Sequence, residues 1–493
     1  MKLRVRLWQH GKLEKLDNRN KMTRLKQYLN EEKESFERWK KYVSAEPMLK
    51  NAVNILTKIE KKGFKAYIVG GCVRDIILGK KPKDVDIATN CPIDVIDDMY
   101  KSKDIGKSKD FGIVTVKSGG FDYEIAQFRQ DGKYFDGRRP ESVKISQSFK
   151  EDAERRDFTI NAMAIDSNGN IIDHFDGRKD IKNKLIRTVG NPTDRFKEDY
   201  LRMLRCVRFS SRLGFKIDPE TAKSIKVNKN NIEKIAPERI KDELLKIASN
   251  SGDKFADAII TLDELGILEI ILPEIVKMKQ FQHNTEHHPE GNVFDHTIAA
   301  LRQNNLTDPL LNFSILLHDI GKLSTYEYDP EKGHTYHGHA EASKDFIDDI
   351  AQRLRLSNKE KEALIFVAVN HMKLHKATDI KPSKLVKIVS DENWEILKAA
   401  TYCDKAARGK MFDKKKWEET LEYINDIKNK WGDSVVNKTI KIVDGNRIMN
   451  LTGLKPGKKV GQIIKHVTQF VLDNGITDQK LIDNEIMYAY ENI

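Results

Sequence analysis

Two aspartates one residue apart, Asp84 and Asp86, follow a glycine pair, Gly70 and Gly71. The run is Ile68-Val69-Gly70-Gly71-Cys72-Val73-Arg74-Asp75, then Lys83-Asp84-Val85-Asp86-Ile87. These residue types suit phosphoryl chemistry. Strand side chains alternate between faces, so Asp84 and Asp86 share one face while Val85 turns to the core. Two carboxylates on one face repel each other unless a divalent cation sits between them. Magnesium ions held there would activate an attacking hydroxyl and stabilise the charge that develops on a phosphate. Gly70 and Gly71 have no side chains, so their backbone N–H groups can approach a triphosphate closely. Arg74 is a candidate phosphate contact, and Glu124, on a later strand, is the best-placed third carboxylate. An Asp-x-Asp pair by itself is mostly solvated surface. The specificity here comes from the glycines standing fourteen residues before Asp84 in strand–loop–helix–strand order.

A second constellation lies far downstream: His296, the pair His318-Asp319, and Asp404, with His339 and His371 as further candidates. Imidazole and carboxylate together suit a divalent metal. A single histidine is more often a packed or surface residue; the ordered set is what draws attention.

Several elements must position these groups. Ala66-Tyr67-Ile68-Val69 is a short apolar strand running into the glycine pair. Gly112-Ile113-Val114-Thr115-Val116 and Tyr123-Glu124-Ile125-Ala126 predict two more strands joined at Gly119-Gly120. Residues 178–250 and 251–420 have mostly helical patterning. In residues 1–50, Met22, Leu25, Leu29, Phe36, Trp39 and Val43 recur at mostly three- and four-residue steps, the mark of one apolar helix face. Packing on the main body and contact with RNA are both open for that basic extension.

The head motifs resemble a known family. Gly70-Gly71-Cys72-Val73-Arg74-Asp75 with Asp84-Val85-Asp86 looks like the nucleotidyltransferase head of bacterial tRNA nucleotidyltransferases and poly(A) polymerases. The resemblance continues through Asp136-Gly137-Arg138-Arg139-Pro140, Arg155-Arg156-Asp157-Phe158-Thr159-Ile160-Asn161-Ala162, Glu198-Asp199-Tyr200-Leu201-Arg202-Met203-Leu204-Arg205 and Glu238-Arg239-Ile240. It implies a multidomain α+β chain. The expected order is a basic helical extension (1–50), a catalytic α/β head with a mixed sheet (51–175) and a helical neck for base selection and RNA binding (176–250). A metal-binding helical domain (251–425) and a helical tail (426–493) follow. It also implies that Arg155, Arg156, Asp157, Asn161 and Arg205 bind nucleotide, with loop ordering the alternative for Asn161, that Arg138 and Arg139 lie in a flexible loop, and that base choice falls to protein side chains.

Cytosine and adenine each present an amine donor beside a ring-nitrogen acceptor, which a carboxylate plus a guanidinium match. Asp199 and Arg202, three apart on a predicted helix, share a face and fit that task. An intrahelical ion pair is the plain alternative. Arg205 and Arg208 extend the stripe. Ser108-Lys109-Asp110-Phe111-Gly112-Ile113-Val114 is closer to the tRNA enzymes than to the poly(A) polymerases. The implied activity is addition or repair of the 3′-terminal CCA of tRNA from CTP and ATP with Mg2+. A poly(A) polymerase, or a phosphohydrolase with an RNA-binding head, are the alternatives.

The histidine set, in the contexts Val293-Phe294-Asp295-His296-Thr297 and Leu316-Leu317-His318-Asp319-Ile320-Gly321-Lys322, resembles the HD metal-dependent phosphohydrolases. That implies a divalent metal on His296, His318, Asp319 and Asp404, and hydrolysis of phosphate or cyclic phosphate ends. The tail segment Leu451-Thr452-Gly453-Leu454-Lys455-Pro456-Gly457 is similar to the family's glycine-bearing helix–turn–helix. An RNA-phosphate contact and a tight interhelical turn are both open there.

Bulk composition agrees. The chain has 493 residues, a length of about three ordinary domains. Lys+Arg 87 against Asp+Glu 75 leaves +12, which suits a polyanionic partner such as a tRNA acceptor end. Four scattered cysteines exclude a small disulfide scaffold and suit reduced thiols in a cytoplasmic protein. No apolar run approaches the ~20 residues of a membrane span, and the N-terminus lacks a signal-peptide core.

Overall fold

The computed structural model describes residues 37–100, 112–132, 142–282, 291–431 and 443–493, apart from 38, 42, 475 and 477. The chain forms two units, Met1–Ile235 and Ala236–Ile493. That division falls inside the stretch expected as a single neck over 176–250.

The first unit is built on a six-stranded mixed sheet in the order β3-β4-β2-β1-β7-β8. Its strands are β1 (Ala66–Val69), β2 (Asp86–Thr89), β3 (Ile113–Ser118), β4 (Phe121–Gln127), β7 (Met163–Ile165) and β8 (Ile171–Asp173). β2 and β4 run parallel; the other neighbours are antiparallel. β3 and β4 form the expected hairpin. Gly119 and Gly120 both have positive φ, 59° and 86°, as a tight turn between twisted strands requires. A smaller hairpin, β5 (Arg129–Asp131) with β6 (Val143–Ile145), flanks 133–141. Arg138 and Arg139 therefore lie outside the described residues, as do the extension residues Met22, Leu25, Leu29 and Phe36. Trp39 is buried against Gly169, so the described end of the extension packs on the head.

Helix α1 (Pro47–Lys61) lays Leu49, Ala52, Ile55, Leu56 and Ile59 inward at helical spacing. α2 (Gly71–Ile77) follows β1 directly, and Gly70, at φ 75°, makes the turn between them. Beneath the site, Tyr67, Phe128 and Phe149 pack with ring centroids 5.5–5.9 Å apart. α3 (Phe149–Glu154), α4 (Pro192–Glu198) and α5 (Leu201–Leu213) carry the arginine-rich motifs.

Among the described residues, the second unit is helical with one small hairpin. α6 (Pro237–Ala248) belongs to it, because the buried Asn312 amide donates to the carbonyls of Ala248 and Asn250. α7 (Val293–Arg302), α8 (Pro309–Leu317), α9 (His339–Leu354), α10 (Asn358–His375) and α11 (Trp394–Ala407) surround the histidine cluster. Their N-termini are capped by side chains where the sequence offers them, such as Asn292, Asp308 before Pro309, and the Ser357/Glu360 capping box. In the tail, α12 (Gly445–Thr452) ends at Gly453, whose φ of 73° lets the chain turn into α13 (Lys458–Asn474). Ile448, Ile463, Val467, Ile482 and Ile486 form its core. The glycine segment is thus an interhelical turn. All four cysteines are buried and unpaired with one another. Among the described residues, no helix is long and apolar enough to cross a membrane.

Candidate functional site

In the head, Val69 on β1 lies opposite Asp86 on β2, so the glycine turn begins beside that carboxylate. A Cβ on Gly70 would sit 3.4 Å from Arg156 Nη1 and 3.9 Å from Asp86 Oδ2. β2 and β4 pair in parallel with Ile87 opposite Ile125, which places Asp86 beside Glu124 one step earlier. Val85 is buried while Asp84, Asp86 and Glu124 are exposed, so the alternation expected from the sequence is present.

The three carboxylates feel one another. Asp86 is pushed up to about 6, first by desolvation in its recess and then by the charges of Glu124 and Asp84, with Arg156 opposing. The residue is exposed at its rim, so the repulsive part of this shift is the more telling. Crowded like charge of this kind fits a bound cation. Among the described residues, the three are not brought within the 4.8 Å convergence found in the second unit.

The arginine motifs resolve into an ordered network. Asp152 on α3 has a fully buried carboxylate that accepts from Arg155 (2.7 Å) and Arg156 (3.1 Å). Burial would raise its pKa; the charges and hydrogen bonds of the two arginines outweigh this and hold it low. Of the two, Arg156 is the one aimed at Gly70 and Asp86. Arg155 instead presents its carbonyl to Arg202 Nη2 (3.0 Å).

Asp157 accepts from Arg205 (2.6 Å) and from Asn161 Nδ2 (3.1 Å). Desolvation pushes its pKa up, but Arg205, the Asn161 hydrogen bond and the charge of Arg202 bring it down to about 2. Asn161 Oδ1 in turn accepts from Arg74 Nη1 at 2.7 Å.

Several of the expected site residues engage other side chains of the head. Arg74, expected at a phosphate, is buried and turned inward onto Asp75 (2.7 Å), Asn161 and the Phe209 ring. Asp157, Asn161 and Arg205, expected at nucleotide, bind one another; the low-dielectric interior favours closing such a network. Asp199 is not on a helix with Arg202. α4 ends at Glu198, Asp199 is extended (φ −153°, ψ 105°), and its carboxylate accepts from Leu201 N at the entry to α5. Arg202 instead pairs with Glu198, four residues back.

Asp152 and Glu198 were missed. The signal was present in their spacing, Asp152 to Arg155 and Arg156, and Glu198 to Arg202, at i+3 and i+4. Asp152→Ala is expected to free Arg156 from its anchor, destabilise the head by about 3–5 kcal/mol, and raise KM for nucleotide more than it lowers kcat. Steady-state kinetics and thermal melting check both; an unchanged KM would remove Arg156 from the site.

In the second unit the histidines converge. His296 Nε2 lies 3.0 Å from Asp404 Oδ1 and 3.8 Å from Asp319 Oδ2. His318 Nε2 is 3.2 Å from Asp319 Oδ2 and 3.9 Å from Asp404 Oδ1. His339 and His371 approach the other oxygen, Asp319 Oδ1, at 3.3 and 3.6 Å. His296, His318, Asp319, His339, His371 and Asp404 are all buried.

The Nδ1 atoms of His318, His339 and His371 face the carbonyls of Ile315, Tyr336 and Ala368 at 2.7–2.8 Å. A carbonyl only accepts, so Nδ1 is the donor in each ring and Nε2 is turned toward the cluster. Those three Nε2 atoms are buried without a hydrogen-bond partner; their approaches to Asp319 are electrostatic contacts of poor alignment. Burying an unsatisfied polar atom is costly. Three of them converging beside two carboxylates fit a divalent cation. Sequence reasoning did not include Lys322, 2.6 Å from Asp319 Oδ2, or His375, 2.7 Å from Asp404 Oδ2.

Comparison with known proteins matches two stretches of the chain to family models. A family model described as the Poly A polymerase head domain matches residues 66–187. One described as a probable RNA and SrmB- binding site of polymerase A matches residues 214–278. The CCA-adding enzyme of Ligilactobacillus salivarius is 35% identical over 437 residues, 88% of this chain and 95% of that protein. The CCA-adding enzyme of Oceanobacillus iheyensis is 48% identical over 203 residues, 41% of this chain and 50% of that protein. Among solved structures, the Bacillus stearothermophilus CCA-adding enzyme in complex with CTP is similar at a TM-score of 0.69 and 24% identity, over 91% of this chain and 98% of that one. The Thermotoga maritima CCA-adding enzyme complexed with tRNA_CCA gives a TM-score of 0.55 at 21% identity, over 89% and 94%. At such identities these two speak for the fold.

Proposed function

The chain belongs to the CCA-adding enzymes, and we propose from its site geometry how it builds the 3′-terminal CCA of tRNA from CTP and ATP. The carrying observation is the recess in which burial, and then the charges of Glu124 and Asp84, raise the pKa of Asp86 beside the Gly70 turn and Arg156. Asp84, Asp86 and Glu124 would hold a divalent cation such as magnesium, which would supply activation of the primer hydroxyl and stabilisation of charge on the α-phosphate. Gly70 and Gly71 leave room for the triphosphate, and Arg156, braced by Asp152, meets its charge. Pyrophosphate leaves as the 3′-oxygen bonds to the α-phosphorus.

Asp199 and Arg202 read the base. Asp199 accepts from the exocyclic amine shared by cytosine and adenine, and Arg202, braced by Glu198, donates to the ring nitrogen. A base with a carbonyl and N–H at those positions leaves polar groups unpaired, at roughly 1–3 kcal/mol each. Arg74, Asn161, Asp157 and Arg205 act behind this surface as positioning residues. The buried, unpaired thiols suit a cytoplasmic location.

Given tRNA lacking its end, the protein is expected to add two nucleotides with CTP alone and three with CTP and ATP together, resolved on a sequencing gel. Long ATP-only tails on unrelated RNA would mark a poly(A) polymerase instead.

A second activity is favoured by the three orphaned imidazole nitrogens of the second unit. His296, His318, Asp319 and Asp404 would hold a divalent metal there, with His339 and His371 turned toward the other oxygen of Asp319. The chemistry it supplies is activation of water toward a phosphoester.

A further inference from the structure

Near its C-terminal end α10 carries two histidines, His371 and His375. Side chains four residues apart share a helix face, and these two rings meet edge-on at 6.3 Å. Their nitrogens are used differently. His371 turns Nδ1 to the Ala368 carbonyl, and its Nε2, buried and without a hydrogen-bond partner, lies 3.6 Å from Asp319 Oδ1. His375 commits its Nε2 instead: that atom stands 2.7 Å from Asp404 Oδ2, at hydrogen-bond distance.

Asp404, on α11, thereby has two unlike oxygens. Oδ1 faces the inner cluster, 3.0 Å from His296 Nε2 and 3.9 Å from His318 Nε2. Oδ2 faces His375, whose side chain keeps 11% exposure where that of His296 has none. An ionised carboxylate only accepts, so His375 Nε2 is the donor of this bond. Asp319 shows no such division. Its Oδ2 approaches His296 and His318, and its Oδ1 approaches His339 and His371. Both oxygens of Asp319 therefore face imidazoles of the cluster, while Asp404 turns only one inward. The last torsion of an aspartate is broad and two-fold, so a carboxylate without a fixed partner can present either oxygen. A donor on Oδ2 removes that freedom.

We propose that His375 is a positioning residue. By donating to Asp404 Oδ2 it holds Oδ1 toward His296 and His318, and so tightens divalent-metal binding in the second unit without being a ligand itself. This rests on the metal reading given above.

The test uses the full chain carrying Asp86→Asn, so that the metal measured belongs to the second unit and not to the head carboxylates. Calorimetric titration with Mn2+ reads the affinity, and His318→Ala in the same parent identifies the binding that belongs to the cluster. His375→Phe keeps a ring but no donor, and is expected to weaken Mn2+ binding about tenfold to a hundredfold. His375→Gln, whose amide can donate to Oδ2, is expected to recover most of that loss.

Thermal melting of the metal-free proteins separates positioning from packing. A residue that only packs would lower the melting temperature on substitution and leave the Mn2+ affinity where it was. If His375→Phe does not fold, His375→Ala, which adds no bulk at this half-buried position, takes the same measurement. A glutamine variant as weak as the phenylalanine one overturns the proposal, because the ring itself and not the donated hydrogen bond would then be what the metal needs. A parent protein that binds no Mn2+ at the cluster overturns the metal reading, and the positioning role with it. Binding in the parent that the donor-free variant leaves unchanged overturns the positioning role alone.

Discussion

Asp86→Asn is expected to abolish incorporation of CMP and AMP into tRNA and, in the same protein, to raise the melting temperature of the metal-free form. The two effects have one cause. The carboxylate sits where Glu124 and Asp84 already stand, and its pKa of about 6 lies above the usual carboxylate value of 3.8. A carboxyl group raised on folding binds its proton more tightly in the folded state. Its penalty is absent below the unfolded pKa and complete once pH exceeds the folded one. At pH 7.5 the ionised group therefore opposes folding, by up to about 1 kcal/mol once solvent screening at its exposed rim is allowed for.

The neutral amide removes that penalty and also removes the charge that draws magnesium. The activity loss should be at least about 10³-fold, some 4 kcal/mol of transition-state stabilisation. Incorporation assays and melting curves at pH 7.5 and pH 5 check it. The stabilisation should shrink at pH 5, where wild-type Asp86 is itself largely protonated. A variant that keeps full incorporation would sink the assignment of Asp86. One that loses activity but melts lower would show that the three carboxylates are not in repulsive contact.

The sequence made this site legible because its logic is local. Alternation around Val85 put Asp84 and Asp86 on one face, and the glycine pair after an apolar strand required a turn there. The β3–β4 hairpin was legible for the same reason: Gly119 and Gly120 adopt backbone angles that few other residues accept. What failed was direction. Spacing shows which side chains share a helix face, but not whether that face turns to substrate or inward.

Arg74 was therefore placed at a phosphate although a buried Asn161, far along the chain, claims its guanidinium. Asp199 and Arg202 were drawn on one helix, whereas the chain breaks at Asp199, whose carboxylate accepts from Leu201 N, and Glu198 takes Arg202. Residues such as Asp152 and Glu198 look like ordinary surface acids until the fold buries the first and half-buries the second beside arginines. The histidine cluster gave the opposite lesson. Its first four members were readable from their contexts, but Lys322 and His375 acquire roles only through distances to Asp319 and Asp404 that no spacing rule supplies.

The second unit is expected to lose stability on mild acidification, by about 2 kcal/mol between pH 7 and pH 5 in metal-free protein, with His371 as the main cause. Its pKa is pushed down to about 4, first by burial and then by the neighbouring charge of His318, against the pull of Asp319 and Asp404. A histidine whose folded pKa lies below the usual 6.5 must stay neutral inside the fold, while the unfolded chain takes up the proton. Stability contributed by its neutral form is thus complete above about pH 7 and falls as pH drops through 6.5 toward 4.

Asp319 and Asp404 cannot produce a loss in that window. Burial opposes their ionisation, but His318 and Lys322 around Asp319, and His375 and His296 around Asp404, hold both well below the usual carboxylate range. Their contribution disappears only at lower pH. A divalent cation competes with the proton for the imidazole Nε2, so metal should raise the pH 7 stability more than the pH 5 stability and steepen the slope. Urea unfolding of the full chain at pH 7, 6 and 5, with and without Mn2+, measures the slope, and His371→Gln should flatten it even if the variant begins less stable. A slope identical in His371→Gln and wild type would mean that the buried ring does not carry the titration. A slope untouched by metal would count against metal binding at the imidazoles of this cluster.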